Sequence, residues 1–472
     1  MNIVIVGCGN IGLETAERLC NEHNLLLINR SCPEDLAQFV RNHDNVWFES
    51  ADATYPSNIE AILNKFQGTF EKVDVLISTV GAFCPTSALD DIKRFKEEFY
   101  LNFFGNLVPI HAILRRMLLT GTGRIIVISS TSGVFTYPGL LAYTPAKWAL
   151  TSFCLNLRDK MKRRGISVDI VFPSSIRNRR SRTFLYQKGI ESEKVTSEIV
   201  RILKGKHNVN RFIPKRYALL HTLERMFPQL LDKRAGLNGK RKKLFRAQKT
   251  NSVLISGATS ELGRKLAIDY SKTAKRLYLL GSDEQALSEL KRQMVYSSDC
   301  LVEEVCLDLA DFRSIASLAD RIEQVDLMIN NIELSVPDKA IEDPVINYDR
   351  NLKTNLFGAI HLVVAFMRKK MPPVKIIQIM PVSVTEDQTR FDCHSASQAA
   401  LWAFTRSLRR TFGHRMQVME VILAKRQGIH LTAQILAQRI HEMEKQGREI
   451  VVLPLRYKLS MYLSAILPWQ LG

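Results

Sequence analysis

The sequence predicts an α/β protein built from two doubly wound, parallel-sheet domains in tandem. Three observations carry that expectation. First, nearly unbroken runs of Val, Ile and Leu recur along the 472 residues, as in NIVIVG (2–7), VDVLIS (73–78) and RIIVIS (124–129). Strands covered on both faces need such runs, whereas half-solvated strands alternate apolar and polar positions. Second, helix-like apolar periods separate the runs, the alternation that places successive strands parallel in one sheet. Third, the whole order occurs twice. NIVIVG is matched by SVLISG (252–257), VDVLIS by VDLMIN (325–330), YLNFFGNL (100–107) by KTNLFGAI (353–360), and RIIVIS by KIIQIM (375–380). LLAYTPAKWALTSF (140–153) is matched by FDCHSASQAALWAF (391–404), and the proline-bounded segment at 213–231 by that at 453–471. Six blocks in one order mark an internal duplication.

The expected domains are 1–235 and 251–472, joined by a basic linker at 236–250 that has no apolar period. The length suffices for a large core in each. The opening MNIVIVGCGNIG has no basic n-region and turns to glycine after six residues, so it reads as a first strand rather than a leader. No apolar run reaches the roughly 18 residues that span a bilayer. The eight cysteines are scattered without CxxC or metal-ligand spacing. They fit reduced thiols in the cytoplasm, and no metal is expected.

The net charge of +19 is concentrated: residues 151–250 hold 26 Lys/Arg against 7 Asp/Glu. Such a stretch favours an anionic partner, whether an acidic carrier protein, a phosphorylated ligand or a membrane surface met peripherally, and it also fits a merely solvated face. Nucleic acid is disfavoured, because no aromatic interleaving or recognition-helix pattern accompanies the charge.

Along the first copy, the first strand runs into VGCGNIG. Gly7, Gly9 and Gly12, with Asn10 and Ile11 between them, form a GxGxxG turn between strand and helix. Glycines there let backbone N–H groups approach a pyrophosphate at the helix N-terminus. The second strand, LLLINR, ends in Arg30, whose guanidinium suits the 2′-phosphate of NADP better than the free ribose hydroxyl of NAD. Further on, Tyr143 and Lys147 stand four apart at the start of an apolar-periodic segment, hence on one helix face. A phenol has a pKa near 10, and an adjacent ammonium favours its ionised form.

These segments resemble the short-chain dehydrogenase/reductase family. The resemblance covers nearly all of 1–205 and, more weakly, 251–450. The family's Tyr-x-x-x-Lys motif, with a serine about 13 positions upstream and an asparagine in the middle helix, is matched by Tyr143, Lys147, Ser130 and Asn102. The resemblance implies a Rossmann-like fold and hydride exchange between a nicotinamide dinucleotide and a carbonyl or alcohol. Tyr143 would then pass the proton, Ser130 would hold the substrate oxygen, and Asn102 would hold a water connecting Lys147 to solvent. Asp52 matches the family's adenine-contacting aspartate, Gly81 the last glycine of a loop that here reads STVG, and Pro173 the proline closing the sixth strand. Three departures stand out. The glycine turn is one residue shorter than the family's GxxxGxG, STVG replaces Asn-Asn-Ala-Gly, and Ser174 replaces the glycine after Pro173.

The second copy keeps the apolar pattern and loses the reactive groups. Pro381, His394 and Gln398 stand at the serine, tyrosine and lysine positions, while Asn355 remains. Glu261 takes the middle glycine position of SGATSELG, and Ser282 stands where the first copy has Arg30. This half is expected to be catalytically silent, and the resemblance implies that it pairs with the first through the helices that begin at Tyr143 and near His394, an intramolecular pseudo-dimer. The basic, apolar segments 214–228 and 454–468 read as amphipathic surface helices, as a lid over an apolar substrate, or as helices packed on their own domains. The resemblance, through family relatives that carry such segments, implies a hydrophobic, acyl or lipid-like small-molecule substrate, which would enter beside Tyr143 under residues 177–205. The competing expectation is a dinucleotide-binding regulatory or scaffold protein with vestigial activity.

Overall fold

A computed structural model describes residues 1–83, 91–177, 189–226, 250–295, 299–332, 345–369, 373–381, 392–423, 432–448 and 450–453. In the first domain the strands are β1 (Asn2–Val6), β2 (Asn24–Asn29), β3 (Val46–Ser50), β4 (Val75–Ser78), β5 (Gly123–Ile128), β6 (Ile166–Pro173) and β7 (Asn210–Ile213). Its helices are α1 (Asn10–Leu19), α2 (Glu34–Arg41), α3 (Pro56–Lys65), α4 (Ile92–Thr120), α5 (Tyr143–Met161), α6 (Ser192–Lys204) and α7 (Arg216–Met226). The second domain repeats the strands as β8 (Ser252–Ser256), β9 (Arg276–Gly281), β10 (Leu301–Cys306), β11 (Leu327–Asn330), β12 (Lys375–Pro381), β13 (Gln417–Leu423) and β14 (Ile450–Leu453). Its helices are α8 (Glu261–Ser271), α9 (Glu284–Val295), α10 (Phe312–Arg321), α11 (Ile346–Leu352), α12 (Ala359–Met367), α13 (Asp392–Phe412) and α14 (Ala433–Gln446).

Each sheet has seven strands, in the orders β3-β2-β1-β4-β5-β6-β7 and β10-β9-β8-β11-β12-β13-β14. All the pairings are parallel, for example Ile3 opposite both Leu25 and Val75. The strand order reverses between β1 and β4, so the crevice at their carboxyl ends is where a doubly wound sheet binds ligands. The all-buried strands explain the unbroken apolar runs: β6 has no exposed position.

The outer face of the first sheet is covered by α1 and α6, through Ala16, Leu19, Val195, Ile199 and Ile202. The inner faces of the two sheets do not close separate cores. Phe95, Phe99 and Phe103 of α4 and Phe153 of α5 share one buried cluster with Tyr348, Phe357, Leu401 and Phe404 of the second domain. The Phe99 and Phe357 rings stand 5.2 Å apart, edge to face, and Trp148 of α5 meets Trp402 of α13 at 4.7 Å. Each aromatic ring removed from water in this way contributes about 2 kcal/mol. The Trp402 indole donates to Glu420 Oε2 at 3.0 Å. Glu420, buried on β13, also pairs with Arg409 at 2.7 Å.

The extra length of the first copy is confined to residues 174–191, against 424–432 in the second; α6 and α14 then follow as equivalent helices. Residues 192–204 therefore do not overhang Tyr143 as the sequence suggested, because α6 lies against α1, with Arg18 paired to Glu193 at 3.2 Å. Residues 178–188, the basic stretch 227–249 and the segment 454–468 lie outside the described residues. Helix α7 shows both characters expected for 214–228. Tyr217 and His221 pack on Phe135, while Leu219, Leu220 and Leu223 are exposed.

Candidate active site

The turn after β1 is shaped by its glycines. Gly7 has φ +90°, and a Cβ there would lie 2.9 Å from the Val80 nitrogen. A Cβ on Gly12 would lie 2.1 Å from the Gly7 carbonyl oxygen, so α1 packs against the turn only if that residue is glycine. Gly9 precedes α1 with no side-chain cap, and a Cβ built on it meets no atom within 4 Å. Asn10 and Ile11 open the helix. The turn thus leaves room, and uncapped N–H groups, for a pyrophosphate.

Sequence reasoning missed what supports this turn. Asn29 Oδ1 accepts from the Cys8 backbone N–H at 3.1 Å, and the Thr79 hydroxyl donates to the Gly7 carbonyl oxygen. In the second domain Asn331 Nδ2 makes the corresponding bond to the Gly257 carbonyl oxygen at 3.3 Å. The departure of STVG from an Asn-Asn pattern is therefore conservative in function, a hydroxyl replacing an amide. Ser78 likewise donates to Asn106 Oδ1 at 2.7 Å.

Arg30 follows β2 and is exposed, with no side-chain partner among the described residues. Asp52 follows β3, and its Oδ1 accepts from the Thr54 N–H at 2.9 Å and hydroxyl at 2.7 Å. Pro173 ends β6 opposite Ile213 of β7. Arg30 and Asp52 follow, and Pro173 forms, the carboxyl end of a strand in one sheet.

Tyr143 begins α5, and Lys147 lies one turn on, its Nζ 5.9 Å from the Tyr143 ring centre. Lys147 is 2% exposed and donates to the carbonyls of Val80 and Ile128, each at 3.4 Å. Burial lowers its pKa to about 8. Burial also pushes the Tyr143 phenol up to about 12; a hydrogen bond from Ser130 acts in the opposite direction, and nearby Glu98 adds to the rise. Ser130 follows β5, with its Oγ accepting from the Ser132 N–H at 3.1 Å. Asn102 lies within α4, where its amide donates to the carbonyls of Ala82 at 2.7 Å and Glu98 at 2.9 Å. Its Oδ1 is buried without a partner among the described residues. Gly81 fits between the two: a Cβ there would stand 2.9 Å from Asn102 Oδ1 and 3.0 Å from Lys147 Nζ. The Phe83 ring meets Tyr143 edge-on at 5.4 Å, a wall that no sequence motif announced.

The corresponding positions of the second domain are packed differently. His394 and Gln398 are buried on α13, and among the described residues neither polar atom of the Gln398 amide finds a partner. Asn355 Nδ2 donates to Ser397 Oγ at 3.3 Å, within a π-helical segment (Lys353–Gly358) where the first domain has continuous α-helix. Pro381 ends β12. Glu333, which stands where the first domain has Gly81, and Ser383 and the Cys393 side chain, the groups that a base at His394 would need to recruit, lie outside the described residues. Among the described residues there is no His/Cys/Asp/Glu cluster that could hold a metal, the six cysteines described are free, and no helix is long and apolar enough to cross a membrane.

The family model for the short chain dehydrogenases matches residues 1–185 and again 251–426. A fatty acyl-CoA reductase of Acinetobacter baylyi is 31% identical over 181 residues, 36% of this chain and 61% of that protein. The matched stretch thus spans about three fifths of that relative's length. Among solved structures, the N-domain of a bacterial malonyl-CoA reductase with NADP superposes on 97% of the chain and 98% of its own, with a TM-score of 0.70 at 13% identity. An N-terminal ketoreductase from the macrolactin assembly line gives 0.63 at 11% identity, covering 96% of this chain and 86% of its own. Those two likenesses establish the fold across both domains. With its family model matched twice, the chain belongs to the short-chain dehydrogenase/reductase family of NAD(P)-dependent oxidoreductases.

Proposed function

We propose that the protein is an NADP-dependent carbonyl reductase or alcohol dehydrogenase whose hydride-transfer site is in the first domain alone. The observation that carries the reading is the convergence of Ser130, Tyr143 and Lys147 beside Asn102, at the mouth of a glycine turn with room for a pyrophosphate. Gly7, Gly9 and Gly12 with the α1 N-terminus would hold the diphosphate, Arg30 a 2′-phosphate, and Asp52 the adenine side. When bound there, the dinucleotide supplies the hydride.

The chain's own residues handle the proton. Ser130 and Tyr143 together would receive the substrate oxygen by hydrogen bonds. Tyr143 gives its proton to that oxygen in reduction and recovers it in oxidation. Charged Lys147, pinned by the Val80 and Ile128 carbonyls, offsets the burial that otherwise opposes the phenolate. Asn102, held in α4 against Ala82, lies on the far side of Gly81, where a water can deliver a proton to Lys147 in reduction and receive one in oxidation.

The substrate class follows from the walls and from the relatives. The Phe83 ring gives an apolar wall beside Tyr143. Together with the fatty acyl-CoA and malonyl-CoA reductases among the similar proteins, this favours a carbonyl on an acyl or other apolar chain. The second domain, with Pro381, His394 and Gln398 in place of the reactive groups, acts as an intramolecular mate through α13 and the shared core. We take 1–235 and 251–472 as the two domains, and the free thiols suit a reducing compartment such as the cytoplasm.

The test is NADPH and NADH oxidation with a panel of acyl-CoA thioesters, long-chain aldehydes and ketones. Turnover preferring NADPH is expected. Tight dinucleotide binding with no turnover of any carbonyl would instead support a regulatory dinucleotide-binding protein.

A further inference from the structure

The chain between Ser130 and Tyr143 decides whether those two side chains can meet one substrate oxygen, and much of it lacks regular structure. A 3-10 turn (Thr131–Gly133) closes its beginning, through Gly133 N–H to the Ser130 carbonyl at 2.8 Å and Phe135 N–H to the Thr131 carbonyl at 2.8 Å. At its far end the Thr144 N–H reaches back to the Leu140 carbonyl at 3.3 Å. Between these ends, residues 136–139 are secured from the other domain. The Arg410 guanidinium donates to the Thr136 carbonyl oxygen, and the Gly139 N–H donates to Thr411 Oγ1 at 2.8 Å. The Thr411 hydroxyl in turn donates to the Ser407 carbonyl at 2.7 Å, so its acceptor lone pair is aimed rather than free to rotate. Gly139 takes φ +78°, a conformation in which its N–H can face α13 and which other residues rarely adopt.

Both anchors sit in the last turn of α13, the helix whose first turn carries His394 where the first domain has Tyr143. That helix is itself held rigidly: Arg409 is buried, donates to the Val418 carbonyl at 2.8 Å and pairs with Glu420. Trp402, fixed by Glu420, meets Trp148, the residue next to Lys147. A buried ion pair of this kind contributes little net stability but fixes one geometry.

From this we infer that Arg410 and Thr411 of the second domain are positioning residues for the first domain's reaction, setting the 136–139 loop and through it the Ser130–Tyr143 pair. The second domain then contributes more than bulk: it completes the site from outside while carrying out no hydride transfer itself. The inference rests on the reading of Tyr143 as the proton donor, and its test separates the two claims.

The experiment uses the full-length chain as wild type, R410A, T411V, R410A/T411V, R410K and Y143F. Amide hydrogen exchange is followed in residues 134–142 and in a core reference, β1 and β6, alongside kcat, KM and NADPH Kd. Expected for the double variant is at least tenfold faster exchange in 134–142 with unchanged exchange in β1 and β6. Its kcat should fall about tenfold with NADPH Kd within twofold of wild type, as a small misplacement of reacting groups produces. R410K, which can still donate to the Thr136 carbonyl, should recover most of the rate. Unchanged exchange in 134–142 overturns the inference whatever the activity. Faster exchange in β1 and β6 as well also overturns it, because the residues would then act through general stability. Localised faster exchange with wild-type kcat overturns it too. If instead the loop loosens as expected but Y143F keeps wild-type activity, the assignment of Tyr143 fails while the loop anchoring stands.

Discussion

Lys147 and Asn102 approach one another across Gly81, so closely that a single added methyl group at residue 81 would press on both. The Lys147 Nζ would stand 3.0 Å from that Cβ and the Asn102 Oδ1 2.9 Å. Gly81→Ala should therefore shift the end of Lys147 or the Asn102 amide, and lower kcat/KM about 10- to 100-fold. Both neighbours are side chains able to yield slightly, so the melting temperature should change little. Steady-state kinetics together with thermal unfolding check the two halves of this prediction.

The buried lysine also makes stability depend on pH. Its folded-state pKa of about 8 lies below the ordinary value of 10.5. Between those values the unfolded chain binds more protons, so stability rises with pH through that window, and the cost of the buried charge is fully present below about pH 8. Lys147→Met should therefore stabilise the dinucleotide-free protein at pH 7, by at most about 3 kcal/mol, while abolishing turnover. The gain should shrink as pH approaches 10. Denaturant unfolding of both proteins at pH 7 and pH 10 measures it.

Under the proposed function, cofactor preference rests on Arg30. Exposed at the end of β2 with no described partner, its guanidinium is available to a 2′-phosphate. Arg30→Ala should raise KM for NADPH about tenfold or more, and leave KM for NADH within about twofold. Equal losses with both dinucleotides would show that Arg30 makes no contact specific to the 2′-phosphate, and no loss with either would place it outside the cofactor site.

The two domains should unfold together. Phe357 of the second domain packs on Phe95 and Phe99 of the first, and stacks on Tyr100 at 5.9 Å. Phe357→Ala should cost about 3–5 kcal/mol and weaken both domains, and calorimetry should still show one transition. Two separated transitions would show that each sheet closes its own core.

The duplication, the parallel sheets and the glycine turn were legible because strand burial, helix period and Gly geometry are local constraints written in consecutive residues. Tyr143 and Lys147 were legible for the same reason, being one helical turn apart. What could not be read were contacts fixed only by packing across a long stretch of chain. Thr79 substitutes a hydroxyl for an amide, which a pattern of residue types does not show. Arg410 and Thr136 meet across 274 positions, and α6 settles on α1 rather than over the site because its apolar face matches that helix.

The central claim is that chemistry belongs to Tyr143 and not to its counterpart His394. The most direct test compares NADPH oxidation by wild type, Tyr143→Phe and His394→Ala with the best substrate of the panel. The phenylalanine variant should lose about 100-fold or more of kcat, the usual scale for a removed proton donor, with NADPH binding unchanged. The His394→Ala protein should stay within about twofold of wild type. Retained activity in Tyr143→Phe, or its loss in His394→Ala with the fold intact, would contradict the account.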